Sequence, residues 1–232
     1  MREEQQMEKK SGTKHIHLDQ VLPGQIEAKS FEMIGRELQE MGIELEPEKE
    51  PVVKRAIHAS ADFDYARNLV FSPGAVRAGL EALRKGCHIV TDTRMAWSGI
   101  NKGRLSALGG EAFTFMSDED VARAAEQAGS TRAAASMEKA AALYGAGGKL
   151  ENTPCIFAVG NAPTALIRLY ELVQEGKLRP ALVIAMPVGF VNVVQSKELI
   201  LTLEETPFIV AKGRKGGSNI AAAVCNALIY QA

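Results

Sequence analysis

Apolar positions in the first third of the chain recur every three or four residues. From about residue 87 onward, short unbroken apolar runs alternate with stretches of that helical spacing. Ile26, Ile34, Leu38 and Met41 predict an amphipathic helix over 26–41, entered after Pro23 and ending near Gly42. A second helix is predicted over 51–71, with Val52, Ala56, Ala59, Phe63, Ala66 and Val70 as its apolar seam. Ser72-Pro73-Gly74 breaks it, and Ala75 to Lys85 reads as a further helix closed by Gly86. Strands are predicted at Cys87–Thr91, Glu111–Met116, Cys155–Val159, Ala181–Met186 and Phe208–Ala211. Between and after them fall helices around Met95 to Ile100, from a Ser117 N-cap through Ala128, and over Thr131 to Leu143. Three more follow, one ending near Gly176, one running through about Leu203, and one over Ile220 to Tyr230.

Strands that alternate with helices imply right-handed crossovers and a mostly parallel sheet covered on both faces, here with about five strands. The fold class is therefore α/β, three layers deep, with extra helices ahead of the first strand. In open sheets of this kind ligands sit outside the carboxyl ends of the strands. That rule selects the loops at Asp92-Thr93, Ser117-Asp118, Gly160-Asn161, Pro187–Gly189 and Gly213–Ser218. Met1 to Lys14 is polar and charge-rich and reads as a tail, so the expected division is a tail over 1–15 and one domain over 16–232. His15 and His17 can share a metal only with a third ligand, and no C-x-x-C, H-E-x-x-H or clustered Cys/His site supplies one.

Composition narrows the function. A net charge of −1 and 6% aromatic residues argue against a general nucleic-acid binder. No apolar run approaches the ~18 residues of a membrane span, and the N-terminus lacks the apolar core of a secretory signal. Cys87, Cys155 and Cys225 each lie among apolar neighbours, which favours buried free thiols and a reducing, cytoplasmic setting.

Within the predicted 51–71 helix, Arg55, His58, Asp62 and Tyr65 form a polar stripe beside the apolar seam. His58 is then either a hydrogen-bonded core histidine or an acid/base group tuned by burial. Lys212 to Asn219 follows a strand and opens a helix, so its backbone N–H groups and basic side chains can receive an anion, or it is a solvated turn. Arg214, Gly216 and Ser218 are its candidate ligand-side residues. Gly160, Asn161 and Gly189 lie where backbone can approach a ligand closely, and Arg132 is a cation at a helix start, a place unfavourable for helix stability. The loop matches neither G-x-G-x-x-G nor G-x-x-x-x-G-K-[ST], and no G-x-S-x-G elbow occurs.

Several stretches together resemble the precorrin-8X methylmutase family of corrin-ring synthesis. They are K-S-F at Lys29–Phe31, the run Arg55–Tyr65, F-S-P at Phe71–Pro73 and T-R at Thr131-Arg132. Further along come G-N-A-P-T-A-L at Gly160–Leu166, P-V-G-F-V at Pro187–Val191, Gln195-Ser196-Lys197 and G-R-K-G-G-S at Gly213–Ser218. The likeness runs from about Ile26 to the C-terminus; Ala59-Ser60, Trp97, Gln195 and the N-terminal tail depart from the family pattern. What the resemblance implies is a homodimeric isomerase with a flavodoxin-like sheet, moving a methyl group from C11 to C12 of a corrinoid tetrapyrrole without cofactor, metal centre or nucleotide. The family's acid/base histidine falls on His58, and its substrate contacts fall on Ser30, Arg55 and Arg132. Two other functions fit the bare chain: a tetrapyrrole carrier without turnover, and a phosphate- or nucleotide-binding α/β enzyme using the Gly213–Ser218 loop.

Overall fold

The computed structural model describes residues 22–232, so the tail over 1–15 and the His15–His17 pair lie outside the described residues. A short 3-10 turn at Pro23–Gln25 leads into helix α1 (Ile26–Glu40). Then come α2 (Glu50–Ser60), α3 (Tyr65–Asn68), strand β1 (Leu69–Phe71) and α4 (Ala75–Arg84). The alternating part begins with β2 (His88–Thr91), α5 (Arg94–Gly99), α6 (Lys102–Ala107) and β3 (Glu111–Phe113). It continues through α7 (Glu119–Gln127), α8 (Arg132–Tyr144), β4 (Cys155–Val159), α9 (Pro163–Gln174) and β5 (Leu182–Ala185). The chain closes with α10 (Val193–Leu201), β6 (Phe208–Ala211) and α11 (Ser218–Gln231).

These strands form one sheet in the order β1-β6-β5-β4-β2-β3, parallel throughout except where β1 runs antiparallel to β6. Strand side chains alternate between two cores, as the period-2 geometry of a doubly covered sheet requires. Ile89, Ile156, Ala158, Ile184, Ile209 and Ala211 face the core closed by α1, α2, α4, α5 and α11. Val90, Phe157, Val159, Val183, Ala185 and Val210 face the core under α7, α8, α9 and α10. Helix α11 is the central helix of the first layer, packed on α2, α4 and α5, and nearly all of its apolar residues are buried. The three cysteines are buried free thiols.

Two expectations are corrected. The helix predicted over 51–71 ends at Ser60, because Ala61 adopts left-handed backbone (φ 53°) and Leu69–Phe71 is recruited as the antiparallel edge strand of a six-stranded, not five-stranded, sheet. Pairing of Leu69 with Ala211, Val70 with Val210 and Phe71 with Ile209 outweighs the local helical spacing. The stripe therefore divides: Arg55 and His58 stay on α2, Asp62 lies in the turn beyond it, and Tyr65 enters the core, 3% exposed. His58 faces solvent, not the seam, and the buried face of α2 is Val52, Val53, Ala56 and Ile57. The second correction is smaller. Helix α7 begins at Glu119 with Asp118 in the capping position, in place of Ser117.

Candidate active site

The parallel strands reverse their order between β2 and β4, and the loops leaving those two strands are joined by one carboxylate. Asp92, immediately after β2 and fully buried, accepts three backbone N–H groups. Gly160 N donates to Oδ1 at 2.8 Å, while Asn161 N and Ala162 N donate to Oδ2 at 2.9 and 2.7 Å. Burial pushes this carboxyl above the ordinary carboxylate range, against the three N–H donors that favour its charged form. The adjacent Thr93 caps α5 through Ala96 N and shares a 2.8 Å hydroxyl contact with Ser218 at the start of α11. Gly160 is needed here, since a Cβ on it would sit 2.6 Å from Ser218 Cα. The strand-end loops after β2, β4 and β6 are thus locked into one rim.

Helix α2 brings its chemistry to the same rim. Its carboxyl end meets the amino end of α11 through Asn219 Nδ2 donating to Ala59 O at 3.4 Å. Lys215 of the β6–α11 loop pairs with Asp62 at 2.7 Å and with Asp64, so the left-handed turn after α2 is tied to the basic loop. The Lys215 ammonium holds the Asp62 carboxyl below the usual range. The Arg55 guanidinium forms a two-pronged pair with Glu27 of α1, 2.9 Å on each arm, and lies 4.6 Å from the centre of the Phe31 ring and 5.1 Å from that of Tyr230. Phe31 in turn stacks on His58, ring centres 5.4 Å apart. Arg55 also borders a cavity of about 350 Å³ whose floor is Ala222 and Ala223 of α11 and whose edge is Met95. A larger cavity, about 620 Å³ between α1 and α2, is lined by Phe31, Leu38 and Lys54 and by no residue of the strand-end loops.

The remaining expected residues distribute around this rim. Ser30 is half-buried on α1, with Oγ donating back to Ile26 O at 2.8 Å, and precedes the Phe31 that stacks on His58. Arg132 is exposed at the opposite end, in the first turn of α8, where Thr131 caps the helix and touches the Thr164 hydroxyl at 2.8 Å. Gly189 donates to Arg214 O at 3.2 Å, and Arg214 lies 5.2 Å from the centre of the Phe190 ring. Gly216 has no room for a side chain, because a Cβ would approach Met186 O to 2.2 Å. Phe190 (78% exposed), Val191 (79%) and Met95 (71%) add apolar surface at the carboxyl side of the sheet. His58 with Arg55, and the Gly160, Gly189 and Gly213–Ser218 loops, are therefore brought to one edge; Arg132 stands apart from His58 along it.

Two residues of the rim are not among the expected site residues, although Lys197 lies in the Gln195-Ser196-Lys197 stretch that resembles the family. Asp92 falls in a selected loop, but its three partners are 68 to 70 residues away. Lys197 of α10 is 1% exposed and donates to Gly213 O at 2.9 Å and Lys215 O at 2.7 Å. Its position between Val193 and Ile200, at helical spacing along a buried stripe, is the signal that could have marked it. The described residues contain no group of three or more His, Cys, Asp or Glu arranged to hold a metal ion, and no helix long and apolar enough to cross a membrane.

Residues 25–231 match the family model for precorrin-8X methylmutase. A cobalt-precorrin-8 methylmutase of Priestia megaterium is 45% identical over 90% of this chain and 88% of its own length. That of Salmonella typhimurium is 44% identical over 90% and 95%. The solved precorrin-8X methyl mutase of Thermus thermophilus superposes with a TM-score of 0.77 at 39% identity, covering 89% of this chain and 96% of that one.

The Asp92 clamp generates a stability prediction. Asp92→Asn offers one acceptor oxygen to three N–H groups, and each buried donor left unmet costs ~1–3 kcal/mol. We expect urea denaturation to show a loss of about 2–4 kcal/mol. An unchanged midpoint would mean that the carboxylate does not hold the Gly160–Ala162 loop.

Proposed function

The chain belongs to the precorrin-8X methylmutase family, and we propose that it works through His58 as acid/base and a basic strand-end rim that receives the substrate carboxylates. It is an isomerase that moves a methyl group from C11 to C12 of precorrin-8X or cobalt-precorrin-8, giving hydrogenobyrinate or cobyrinate in cobalamin biosynthesis. The observation that carries the site assignment is the seating of the α2 carboxyl end on the amino end of α11, which sets His58 beside the loops that close the rim.

The chemistry asks little of the protein beyond positioning and one proton. A methyl shift between adjacent ring carbons changes neither the atom count nor the oxidation level. Protonating the conjugated macrocycle lowers the barrier to migration, and the same proton is taken back afterwards. An imidazole can both give and accept a proton, so one side chain serves both steps. The solvent-facing placement of His58 and its stacking on Phe31 support a ring held ready for an incoming flat ligand. Arg55, pre-oriented by Glu27 and two aromatic faces, Arg132 and the Lys212–Lys215 loop supply cations for acetate and propionate arms. Ala222, Ala223, Met95 and Phe190 supply apolar surface for the ring. Ser30, Gly160, Asn161, Gly189, Arg214, Gly216 and Ser218 complete the proposed contact set.

Three finer readings belong to the same proposal. Without β1 the sheet order is β3-β2-β4-β5-β6, which renumbers to the 2-1-3-4-5 order of flavodoxin-like folds and supports that reading for the described part, residues 22–232, of the one domain expected over 16–232. Three buried free thiols are in keeping with the cytoplasm. Exposed Phe190, Val191 and Met95 at the rim favour a homodimer in which a second copy covers the part of this apolar surface that the ring leaves open.

His58→Asn is expected to keep the fold and pigment binding while turnover falls ~10²–10⁴-fold. A folded, pigment-binding variant with near wild-type turnover would remove His58 from the proton transfers. For Arg132→Ala, loss of a charge-assisted contact of ~1.5–3 kcal/mol predicts pigment affinity lower by roughly tenfold or more, with a smaller change in the bound-state rate. Titration at low salt giving wild-type affinity would exclude Arg132 from the site. Sedimentation should give twice the 25.0 kDa chain mass at micromolar concentration; a monomer alone would rule out the dimer.

A further inference from the structure

Lys197 is a fully buried lysine that the reaction as derived above does not use. No carboxylate pairs with it among the described residues; its ammonium is met by the carbonyls of Gly213 and Lys215. A buried cation compensated only by dipoles costs stability relative to an apolar side chain of the same length. Packing alone would be served as well by methionine. What the ammonium supplies is a direction for the backbone above it.

That direction follows from peptide geometry. No cis peptide bond occurs in the described chain, and in a trans peptide the carbonyl and the following N–H point opposite ways. Drawing the carbonyls of Gly213 and Lys215 down onto Lys197 therefore turns the N–H groups of Arg214 and Gly216 up, away from the core. The Arg214 carbonyl is held separately by Gly189 N, which turns the Lys215 N–H away from Gly189. Among the described residues the N–H groups of Arg214 and Gly216 donate no backbone hydrogen bond, while that of Lys215 turns back within the tight turn over Gly213–Arg214; the Arg214 side chain beside them is exposed, and that of Lys215 is paired with Asp62 and Asp64. Two free N–H groups that face the same way beside an exposed guanidinium can receive an anion. Gly217 N donating to Met186 O at 2.7 Å fixes the far end of the loop.

We propose that Lys197 is a positioning residue, which turns the Arg214 and Gly216 amides outward so that they bind a carboxylate arm of the corrinoid. The inference rests on the functional reading above and deepens it by giving the loop one task. Burial pushes the Lys197 ammonium down to about 8, so it is still mainly charged at neutral pH and its bonds to the loop remain charge-assisted.

The test compares two ligands on two proteins at pH 7: cobyrinate, and cobyrinate with its carboxyl arms converted to methyl esters. Lys197→Met keeps chain length and apolar packing. It should melt as a folded protein, bind cobyrinate about tenfold more weakly than wild type, and bind the ester within twofold of wild type. In turnover, KM should rise by a similar factor with a smaller change in kcat. A merely structural role would weaken both ligands alike, and equal losses, or no loss, would overturn the proposal. Should Lys197→Met fail to fold, Lys197→Gln, which keeps an N–H donor without the charge, is judged by the same difference between acid and ester. Wild-type protein that neither binds nor converts corrinoid would overturn the functional reading itself, a result distinct from equal behaviour of wild type and variant.

Discussion

A carboxylate removed from water has to be met by donors, and the way Asp92 is met sets the geometry of this molecule's working edge. Its two oxygens gather the N–H groups of three successive residues from a strand-end loop that belongs to a neighbouring strand. This happens where the strand order reverses, the place at which two crossover helices diverge and a crevice opens. With the loop after β4 fixed to the loop after β2, Gly160 can pack against the backbone of Ser218, and the amino end of α11 acquires a defined position. Everything that reaches the rim through α11 then inherits that position: the α2 carboxyl end through Asn219, and Thr93 through the Ser218 hydroxyl.

The N-terminal helices contribute by a different physics. Helix α1 buries only Ile34 and Leu38, so it adds little to the core. Its value lies in Glu27 and Phe31, which orient a guanidinium and support an imidazole. The charge pair lowers the Glu27 carboxyl through its bond to Arg55, and the flanking aromatic faces restrict the arginine's freedom. A preoriented arginine loses less entropy on meeting a carboxylate than a free one, which is where the binding energy of such a rim is conserved.

Much of the alternating region was legible because each βα unit is consistent at every level. Cys155–Val159 is a five-residue apolar run flanked by turn residues, and it is β4 residue for residue. Gly160-Asn161 and Gly213–Ser218 followed from the strand-end rule once the sheet was expected to be parallel. Three features were hidden for identifiable reasons. Strand β1 is three residues long, and its strand character comes from a partner at the far end of the chain, so local periodicity favoured helix instead. The left-handed turn at Ala61 has no glycine or asparagine to announce it. Lys197 lies in a stretch that the resemblance already marks, but its burial shows only once its neighbours Val193 and Ile200 are known to be buried. His58 was placed by the family resemblance; the burial expected to tune it is absent because the stripe it was assigned to does not continue past Ser60.

The antiparallel pairing of β1 with β6 has a consequence for the order in which the protein is made. Phe208 N and Ser72 Oγ, which donate and accept across that edge, are 136 residues apart. At a translation rate of ~5–20 residues per second the first strand waits roughly 7–27 s for its partner to be synthesised. Helix α2 waits longer still, since its seat is α11. The segment that carries Arg55 and His58 thus leaves the ribosome early and is docked last, after the parallel strands have had time to form among themselves. A nascent chain can therefore hold most of its sheet while His58 still has no fixed address.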